Sequence, residues 1–414
     1  MKESQGDNAV SSLNADNNSI DDKAVLSRTP FKFDAHRPSV FWASGDDPYE
    51  NTREALSHID LSPSKNKRVL LKPNVGRNAQ PGSGVTTHPE VVAAAIDAFR
   101  ESGAEVAVGE SPITGVAALD AFETAGITAV ANKRDCPLID MDVRRYVTVD
   151  IPDGSAIKSL RLCREVAEYD VVVSIPVMKT HMHTGVTLSV KNMKGCLWRR
   201  SKVDLHMLPQ LAGHEEKPLD IAIADVSSVL RPDLSIIDGT VGMEGLGPSA
   251  GKAKALGVVL VGVDALATDS VACEIMGISA HDVPHLRLGA QRGYGVIDLD
   301  SIDACPQNWK DVQDSFALPP EELSIEFSGF TVLDQQSCSA CQSTLLMFLR
   351  KYGKQLRDGA SDDKDIIIAI GKGHEQLPSG TLCVGNCTAK HRNCRVFLSG
   401  CPPVASEILS MFNL

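Results

Sequence analysis

Cysteine is the residue type whose placement in this sequence most directly indicates chemistry. The 414-residue chain has 11 cysteines, and the segment from residue 338 onward holds more than half of them. These clustered residues are Cys338, Cys341, Cys383, Cys387, Cys394 and Cys401. Thiolates bind zinc or iron–sulfur clusters, whereas thiols pair into disulfides or are buried as small apolar groups. The odd total fits complete disulfide pairing poorly.

The spacing of these cysteines favours a four-iron cluster. One C-x-x-C pair is followed, after a long interval, by single cysteines, the last of which begins a Cys-Pro-Pro run. Structural zinc sites usually draw on two close pairs, whereas cluster ligation accepts one close pair with distant single cysteines. Cluster-binding runs also end in Cys-Pro. We therefore expect a [4Fe–4S] cluster, with a four-cysteine zinc site and thiols without metal as alternatives.

Local sequence selects four ligands from the six clustered cysteines. Cys387 lies in a Gly-Asn-Cys loop, and Cys401 follows a glycine that allows close backbone approach. Cys383 lies within an apolar strand pattern and is expected in the core, while Cys394 is a spare thiol or an alternate ligand. The expected ligands are Cys338, Cys341, Cys387 and Cys401.

The body of the chain has an α/β pattern that must position these groups. Apolar runs at residues 67–75, 170–179 and 255–264 alternate with segments of helical spacing, such as 87–103. Continuous apolar runs are typical of parallel strands that are covered on both faces. We expect a layered α/β domain with a largely parallel sheet, followed by a smaller α/β cysteine-rich C-terminal unit. A capping box from Thr87 to Glu90 is expected to begin one helix.

Three segments follow from this pattern and from composition. Residues 1–30 are predicted to be a disordered arm, 31–320 the α/β domain, and 321–414 the iron–sulfur-binding unit. The start of the chain is polar and lacks the apolar core of a signal peptide. A net charge of −12 argues against binding to nucleic acid or to anionic membranes. We expect a cytoplasmic protein, in a compartment where stable disulfides are rare.

Polar side chains stand at the ends of several predicted strands. In open α/β sheets, ligands bind beyond the C-terminal ends of the strands, so such side chains can share one cleft. A single one is more often only a solvated strand end, but this sequence repeats the feature at several strands. The residues to which we assign catalytic roles are Lys179, His181, Glu110, Asp238 and Asp269. His181 is the candidate proton donor because an unperturbed imidazole titrates near neutrality.

A basic segment gives this cleft a positive charge. Residues 179–203 contain six lysines and arginines and no acidic residue. Such a local field suits a carboxylate or a phosphate, although an ordinary solvated face is the alternative. The expected ligand- or cofactor-binding residues are Lys72, Asn74, Lys191, Asn192 and Lys194. His181 and His183 could also contribute to a zinc site, but the sequence identifies no further ligands for one.

Motifs spread over residues 38–295 resemble a known family. They include VLLKPNV, VVVSIPVMKTH, VKNMKG, IIDGTVGMEGLGPSAG and VGVDALATDSVA, in this order. Together they look like the family called domain of unknown function 362 (DUF362). The resemblance implies an association with iron–sulfur proteins and places the family's Lys-Thr-His and Lys-Asn-x-x-Gly segments at 179–181 and 191–195. Many relatives carry a ferredoxin-type C-x-x-C-x-x-C run, which this sequence lacks.

Three classes of function remain open at this level. The leading hypothesis is an iron–sulfur oxidoreductase or electron-transfer protein with an anionic small-molecule substrate and a redox partner protein of unknown identity. The second is a non-redox enzyme, such as a lyase, racemase or hydrolase, with a structural or Lewis-acid cluster. The third is a carrier that passes a cluster or metal to an acceptor.

Overall fold

The computed structural model describes residues 29–319, 327–358, 365–394, 396–403 and 405–412. Nearly all of the predicted N-terminal arm lies outside these residues. The strands are β1 (Ser39–Ser44), β2 (Arg68–Pro73), β3 (Glu105–Glu110), β4 (Leu138–Asp140), β5 (Val147–Asp150), β6 (Ser159–Leu162), β7 (Val171–Ile175), β8 (Val177–His181), β9 (Gly185–Thr187), β10 (Leu234–Glu244), β11 (Lys252–Gly262), β12 (Asp303–Cys305), β13 (Phe330–Asp334), β14 (Ile366–Ile370), β15 (Leu382–Val384) and β16 (Val396–Leu398).

The α-helices pack around these strands. They are α1 (Pro48–Ser57), α2 (Pro89–Glu101), α3 (Ala118–Thr124), α4 (Ile127–Asn132), α5 (Arg164–Glu168), α6 (Ser189–Asn192), α7 (Ser201–Asp204), α8 (Pro218–Val229), α9 (Ala265–Ile275), α10 (Pro284–Gln291), α11 (Ser339–Asp358) and α12 (Ala405–Ser410). Among the described residues, no helix combines the length and the apolar character needed to cross a membrane.

The larger sheet has its parallel strands at the centre. Its strand order is β12-β1-β11-β10-β7-β2-β3-β4, and β8 and β9 extend from β10. The strands from β10 to β4 are all parallel. Within β2, Leu70 packs into the core on one face, while Val69 and Leu71 pack into the core on the other. Burial on both faces explains the continuous apolar runs, and the predicted layered α/β fold is confirmed.

The direction of β11 differs from the prediction. This strand is antiparallel to both β1 and β10. With β10, which precedes it in the chain, it forms a long hairpin. An apolar run reports burial on both faces, and a fully covered antiparallel strand has the same sequence pattern as a parallel one. The prediction of a parallel strand at residues 255–264 was therefore wrong.

The start of α2 also differs from the predicted capping box. The N-cap is His88, whose side chain accepts a hydrogen bond from the backbone of Glu90. Thr87 instead accepts from the backbone N–H of Asn74 and donates to the carbonyl of Ile175. It therefore fixes the loop after β2 against the end of β7, at the edge where the polar side chains gather.

The C-terminal elements form a second, smaller sheet. Its order is β13-β14-β15-β16, and each neighbouring pair is parallel. Phe330, Phe348 and Ile368 belong to a separate hydrophobic core beneath it. The cysteine-rich segment is thus an α/β unit, as predicted. Because α11 begins directly after Cys338, the C-x-x-C pair lies at the N-terminal end of this helix.

Candidate functional site

A buried ion pair joins the ends of β2 and β3. Lys72 Nζ lies 3.0 Å from Glu110 Oε2 and donates to Asn192 Oδ1 at 3.0 Å. The two charged side chains are only 1% and 2% exposed. Glu110 also accepts hydrogen bonds from the backbone N–H groups of Val75 and Ser111. Because the polar groups satisfy one another, the pair can remain charged in the core.

Gly195 provides the space for this ion pair. A Cβ atom at that position would lie 2.6 Å from Lys72 Nζ and 2.9 Å from Glu110 Oε1. The Lys-Asn-x-x-Gly motif therefore has a physical basis at two positions. Asn192 hydrogen-bonds to the pair, and the glycine lets the backbone pass close to it.

The polar network continues from the ion pair to Lys179. Asn74 Nδ2 donates to Asn192 Oδ1 at 3.1 Å, and Asn74 Oδ1 accepts from Lys179 Nζ at 2.6 Å. Lys179 also donates to the carbonyl of Val85 at 2.8 Å. Burial, followed by the positive charges of neighbouring Lys191 and Arg77, holds the pKa of Lys179 well below its usual value. Among the described residues no carboxylate is in an ion pair with its ammonium form, although the charge of Glu110 acts to raise its pKa.

Four cationic side chains form a basic row, comprising Arg77, Lys179, Lys191 and Lys194. Within the described part of the chain, none of the four is in an ion pair with a carboxylate. Burial lowers the pKa of Lys191 to about 8, although the charge of Asp220 acts in the opposite direction. Burial and the charge of Lys191 also lower the pKa of Lys194. Like charges gathered in this way favour the binding of an anion.

Histidines lie along the same row. His181 Nδ1 accepts a hydrogen bond from the backbone N–H of His183 at 3.1 Å, which leaves the ring proton of neutral His181 on Nε2. Burial and the charge of Lys191 lower the pKa of His181 well below its usual value. It is therefore neutral at pH 7, in contrast to the unperturbed imidazole assumed from sequence. His183 Nε2 is buried without a hydrogen-bond partner among the described residues, and Lys194 Nζ contacts His206 Nε2.

Asp238 and Asp269 lie close to the network but bind backbone. Asp238 accepts from the backbone N–H of His88 at 2.7 Å and from both the backbone and the hydroxyl of Thr240. Asp269 accepts from the first two backbone N–H groups of α6 at 2.7 and 2.9 Å. Since α6 carries Lys191, these contacts support a positioning role for Asp269. Both carboxylates are buried, and their catalytic roles stay predictions.

The four predicted cluster cysteines form one group. The pKa of Cys341 is raised by its hydrogen bond to Cys338, by burial, and by the charges of Cys338, Cys387 and Cys401. Burial and the charges of Cys338 and Cys401 likewise raise the pKa of Cys387. All eleven cysteines lie in the described part of the chain, and no disulfide joins any two of them. Thiols that influence one another in this way are compatible with the ligation of a [4Fe–4S] cluster, which stays a prediction.

A single metal ion fits this group less well. In the described ranges, no three histidine, cysteine, aspartate or glutamate side chains are arranged to hold one ion. A cluster is larger than an ion and takes its four ligands at wider separations. The expectation of a cluster therefore stays a prediction that the donor set accommodates.

Cys383 and Cys394 form a separate pair. Cys383 Sγ and the backbone N–H of Cys394 both donate to the carbonyl of His391, at 3.5 and 3.0 Å. Burial and the neighbouring Cys394 raise the pKa of Cys383 to about 11. These two thiols interact with each other rather than with the group of four.

The cysteine unit meets the α/β domain at both ends of the basic row. Cys401 Sγ lies 3.4 Å from Met207 Sδ, and Met207 directly follows His206. At the other end, Arg77 Nη1 lies 3.3 Å from Sδ of Met347, a residue of α11. Arg350 of the same helix donates to the carbonyl of Gly251 at 2.9 Å. The four cysteines and the basic row therefore lie on the two sides of one junction.

Comparison with known proteins identifies the family. The family model described as Domain of unknown function (DUF362) matches residues 69–274. The "Thylakoid-associated protein sll1697" of Synechocystis sp. (strain ATCC 27184 / PCC 6803 / Kazusa) is 30% identical over 260 residues, which are 63% of this chain and 78% of that protein. The chain belongs to the DUF362 family. The matched region contains the ion pair and the basic row, whereas the four grouped cysteines lie beyond it.

Two solved structures resemble this DUF362 protein at low similarity. The lactate racemase apoprotein from Thermoanaerobacterium thermosaccharolyticum is 11% identical with a TM-score of 0.39, over 82% of this chain and 70% of that one. A protein from Thermotoga maritima is 14% identical with a TM-score of 0.33, over 60% of each chain. At these scores neither similarity supports an inference about activity.

Sequence reasoning missed two members of the site in this DUF362 protein. Arg77 follows Asn74 by three residues in the loop after β2, and its place in that loop was the available signal. His206 lies just beyond the basic segment, and only the fold of α7 and the turn after it returns the imidazole to Lys194.

Proposed function

We propose that this DUF362 protein is an iron–sulfur oxidoreductase or electron-transfer protein whose basic row binds an anionic small molecule. Its cluster, a [4Fe–4S], would be held by Cys338, Cys341, Cys387 and Cys401. The observation that carries the proposal is the short path from Cys401 through Met207 and His206 to Lys194. When bound, such a cluster supplies or accepts single electrons. A redox partner protein, of unknown identity, would supply or remove them.

The basic row would hold the ligand through charge. Lys179 donates hydrogen bonds to Asn74 and to the carbonyl of Val85. The third N–H of its ammonium group therefore points in a defined direction and can bind the ligand. Lys191 Nζ makes no hydrogen bond to any described residue and is available to the ligand. Neutral His181 carries its ring proton on Nε2 and can donate a hydrogen bond to the ligand. These groups would bind the anion.

Location follows from the cysteines in this proposal. Thiolate ligands and eleven cysteines without a disulfide suit a reducing compartment. We therefore place the protein in the cytoplasm.

Binding of an anion should depend on pH through Lys191. Its amine loses its proton as the pH rises through its pKa of about 8, so oxalate affinity should be nearly constant below pH 7 and fall progressively above it. The loss of one charged hydrogen bond predicts a decrease of about tenfold or more by pH 9.5. Isothermal titration calorimetry with oxalate measures this profile. Lys191→Met is the control and should bind weakly, with a smaller decrease above pH 8 because Lys179 and Lys194 also have lowered pKa values; a constant wild-type affinity up to pH 9.5 contradicts the role of Lys191.

The link between the row and the cysteines is tested by redox potential. Oxalate bound beside Lys194 adds negative charge near the cluster and disfavours its reduction. Saturating oxalate should therefore shift the midpoint potential of the anaerobically purified protein to a more negative value, measured by EPR-monitored titration. The double variant Lys191→Met, Lys194→Met should lose the shift. Binding of oxalate without any change in potential would refute electron exchange with the ligand.

A non-redox enzyme is the second candidate, and the low lysine pKa values favour it. A lysine with a pKa of about 8 is partly neutral at physiological pH and can act as a general base. In that case, turnover of a ligand found for the row would be independent of the oxidation state of the cluster. The electron-transfer proposal instead requires turnover to change that state.

A further inference from the structure

Arg77 has fewer partners than a guanidinium of its position needs. It is half-buried in the loop after β2, and its one hydrogen-bond contact in the described part of the chain is to Met347 Sδ at 3.3 Å. A thioether is a weak acceptor, whereas a guanidinium offers five donors. Burial lowers the pKa of Arg77 to about 10 because no carboxylate offsets the lost hydration.

Some other shielded arginines in this chain have carboxylate partners. Arg292 lies 2.8 Å from the buried carboxylate of Asp225, and Arg134 lies 2.8 Å from Asp97. Arg100 and Arg231 instead donate to backbone carbonyls, whereas Arg77 has neither kind of acceptor among the described residues. The missing partner is the planar, two-oxygen group that the guanidinium fork matches best.

The neighbours of Arg77 make an internal partner unfavourable and a bound one favourable. Lys179 is close enough for the charge of Arg77 to lower its pKa, and Lys191 lies beyond Lys179 along the row. Asn74 and the carbonyl of Val85 accept hydrogen bonds from the Lys179 ammonium, but neither of these groups carries a negative charge. Helix α11 covers this end through Met347, so a ligand there would be shielded from water on one side.

We propose that Arg77 and Lys179 together bind a carboxylate group of the ligand, at the junction between the α/β domain and the cysteine unit. This inference rests on the anion-binding part of the proposed function and is independent of the cluster. It assigns the substrate class: a small carboxylic acid whose carboxylate lies on Arg77. Arg77 thereby becomes a binding residue, with two parallel N–H···O hydrogen bonds to the carboxylate.

Oxalate and sulfate, titrated calorimetrically into the full chain at pH 7, test the assignment. Arg77→Met should weaken oxalate binding by about tenfold to a hundredfold, the value of a charged hydrogen-bonded contact. Arg77→Lys keeps the charge and loses the planar fork, so it should weaken oxalate about tenfold and sulfate clearly less. The matched control is Arg350→Met, which removes an arginine of the same junction and should leave oxalate affinity within twofold. Unchanged thermal melting confirms that each variant is folded. If Arg77→Met does not fold, Arg77→Lys alone tests the inference.

The outcomes separate this inference from the proposed function. Wild-type oxalate affinity in Arg77→Met, with loss of binding in Lys191→Met, overturns the role of Arg77 and leaves the anion site intact. Equal losses of oxalate and sulfate affinity in Arg77→Lys overturn the carboxylate assignment. No binding of either anion to the wild-type protein contradicts the anion site itself and the inference with it.

Discussion

Replacement of Cys341 by serine should reduce iron and acid-labile sulfide, in protein purified without oxygen, from about four of each per chain to nearly none. Cys341 is buried, hydrogen-bonds to Cys338, and has its pKa raised by the charges of Cys338, Cys387 and Cys401. A serine hydroxyl is a much harder ligand than a thiolate and binds iron in clusters poorly. Colorimetric iron and sulfide assays measure the loss, and the same result is expected for Cys338, Cys387 and Cys401.

Cys383→Ser is the matched control for this experiment. Cys383 is buried in β15 of the same unit, but its thiol contacts the carbonyl of His391 and Cys394. The variant should keep its iron and sulfide, because a small polar side chain can retain the bond to the carbonyl. Loss of iron in Cys383→Ser together with full iron in Cys341→Ser would show that the ligands have been assigned to the wrong thiols.

Replacement of Lys72 by methionine should lower the free energy of unfolding by about 3–5 kcal/mol, the cost of leaving one buried charge without its partner. The Glu110 carboxylate would keep its two backbone donors but lose its counter-charge. Urea denaturation followed by circular dichroism measures the change. Lys254→Met removes a lysine that pairs with the more exposed Asp314 and should cost much less.

A double variant tests whether the ion pair itself causes this effect. Lys72→Met combined with Glu110→Gln should cost less than the sum of the two single variants, because the second change removes the charge that the first one left unpaired. Additive losses, or a loss of less than about 1 kcal/mol for Lys72→Met, would contradict the account of the buried pair. Since Asn192 hydrogen-bonds to Lys72, the single variant should also weaken oxalate binding.

The gathering of polar side chains at one edge was predictable from sequence because parallel strands end on the same side of a sheet. Lys72, Glu110 and Lys179 are joined there through Asn74 and Asn192. What sequence position could not give is the direction of each side chain. The carboxylate of Asp269 binds the N-terminus of α6, a contact between segments 80 residues apart that no local pattern encodes.

The cysteines also show which contacts could not be predicted from sequence. Spacing and neighbouring glycines selected four thiols, and the pKa values of Cys341 and Cys387 respond to the charges of others in this set; their ligation of a cluster stays a prediction. The distinct pairing of Cys383 with Cys394 depends on the parallel register of β15 and β16, which brings the start of one strand beside the other. Spacing alone left Cys394 as an alternate ligand because that register is a property of the folded unit.

The most direct test of the account is the metal content of the wild-type protein, purified without oxygen, with EPR spectra recorded before and after dithionite. We predict about four irons and four sulfides per chain and a signal that appears on reduction. One zinc per chain, with no iron and no sulfide, would contradict the central claim that the four grouped cysteines hold a redox-active cluster beside the basic row.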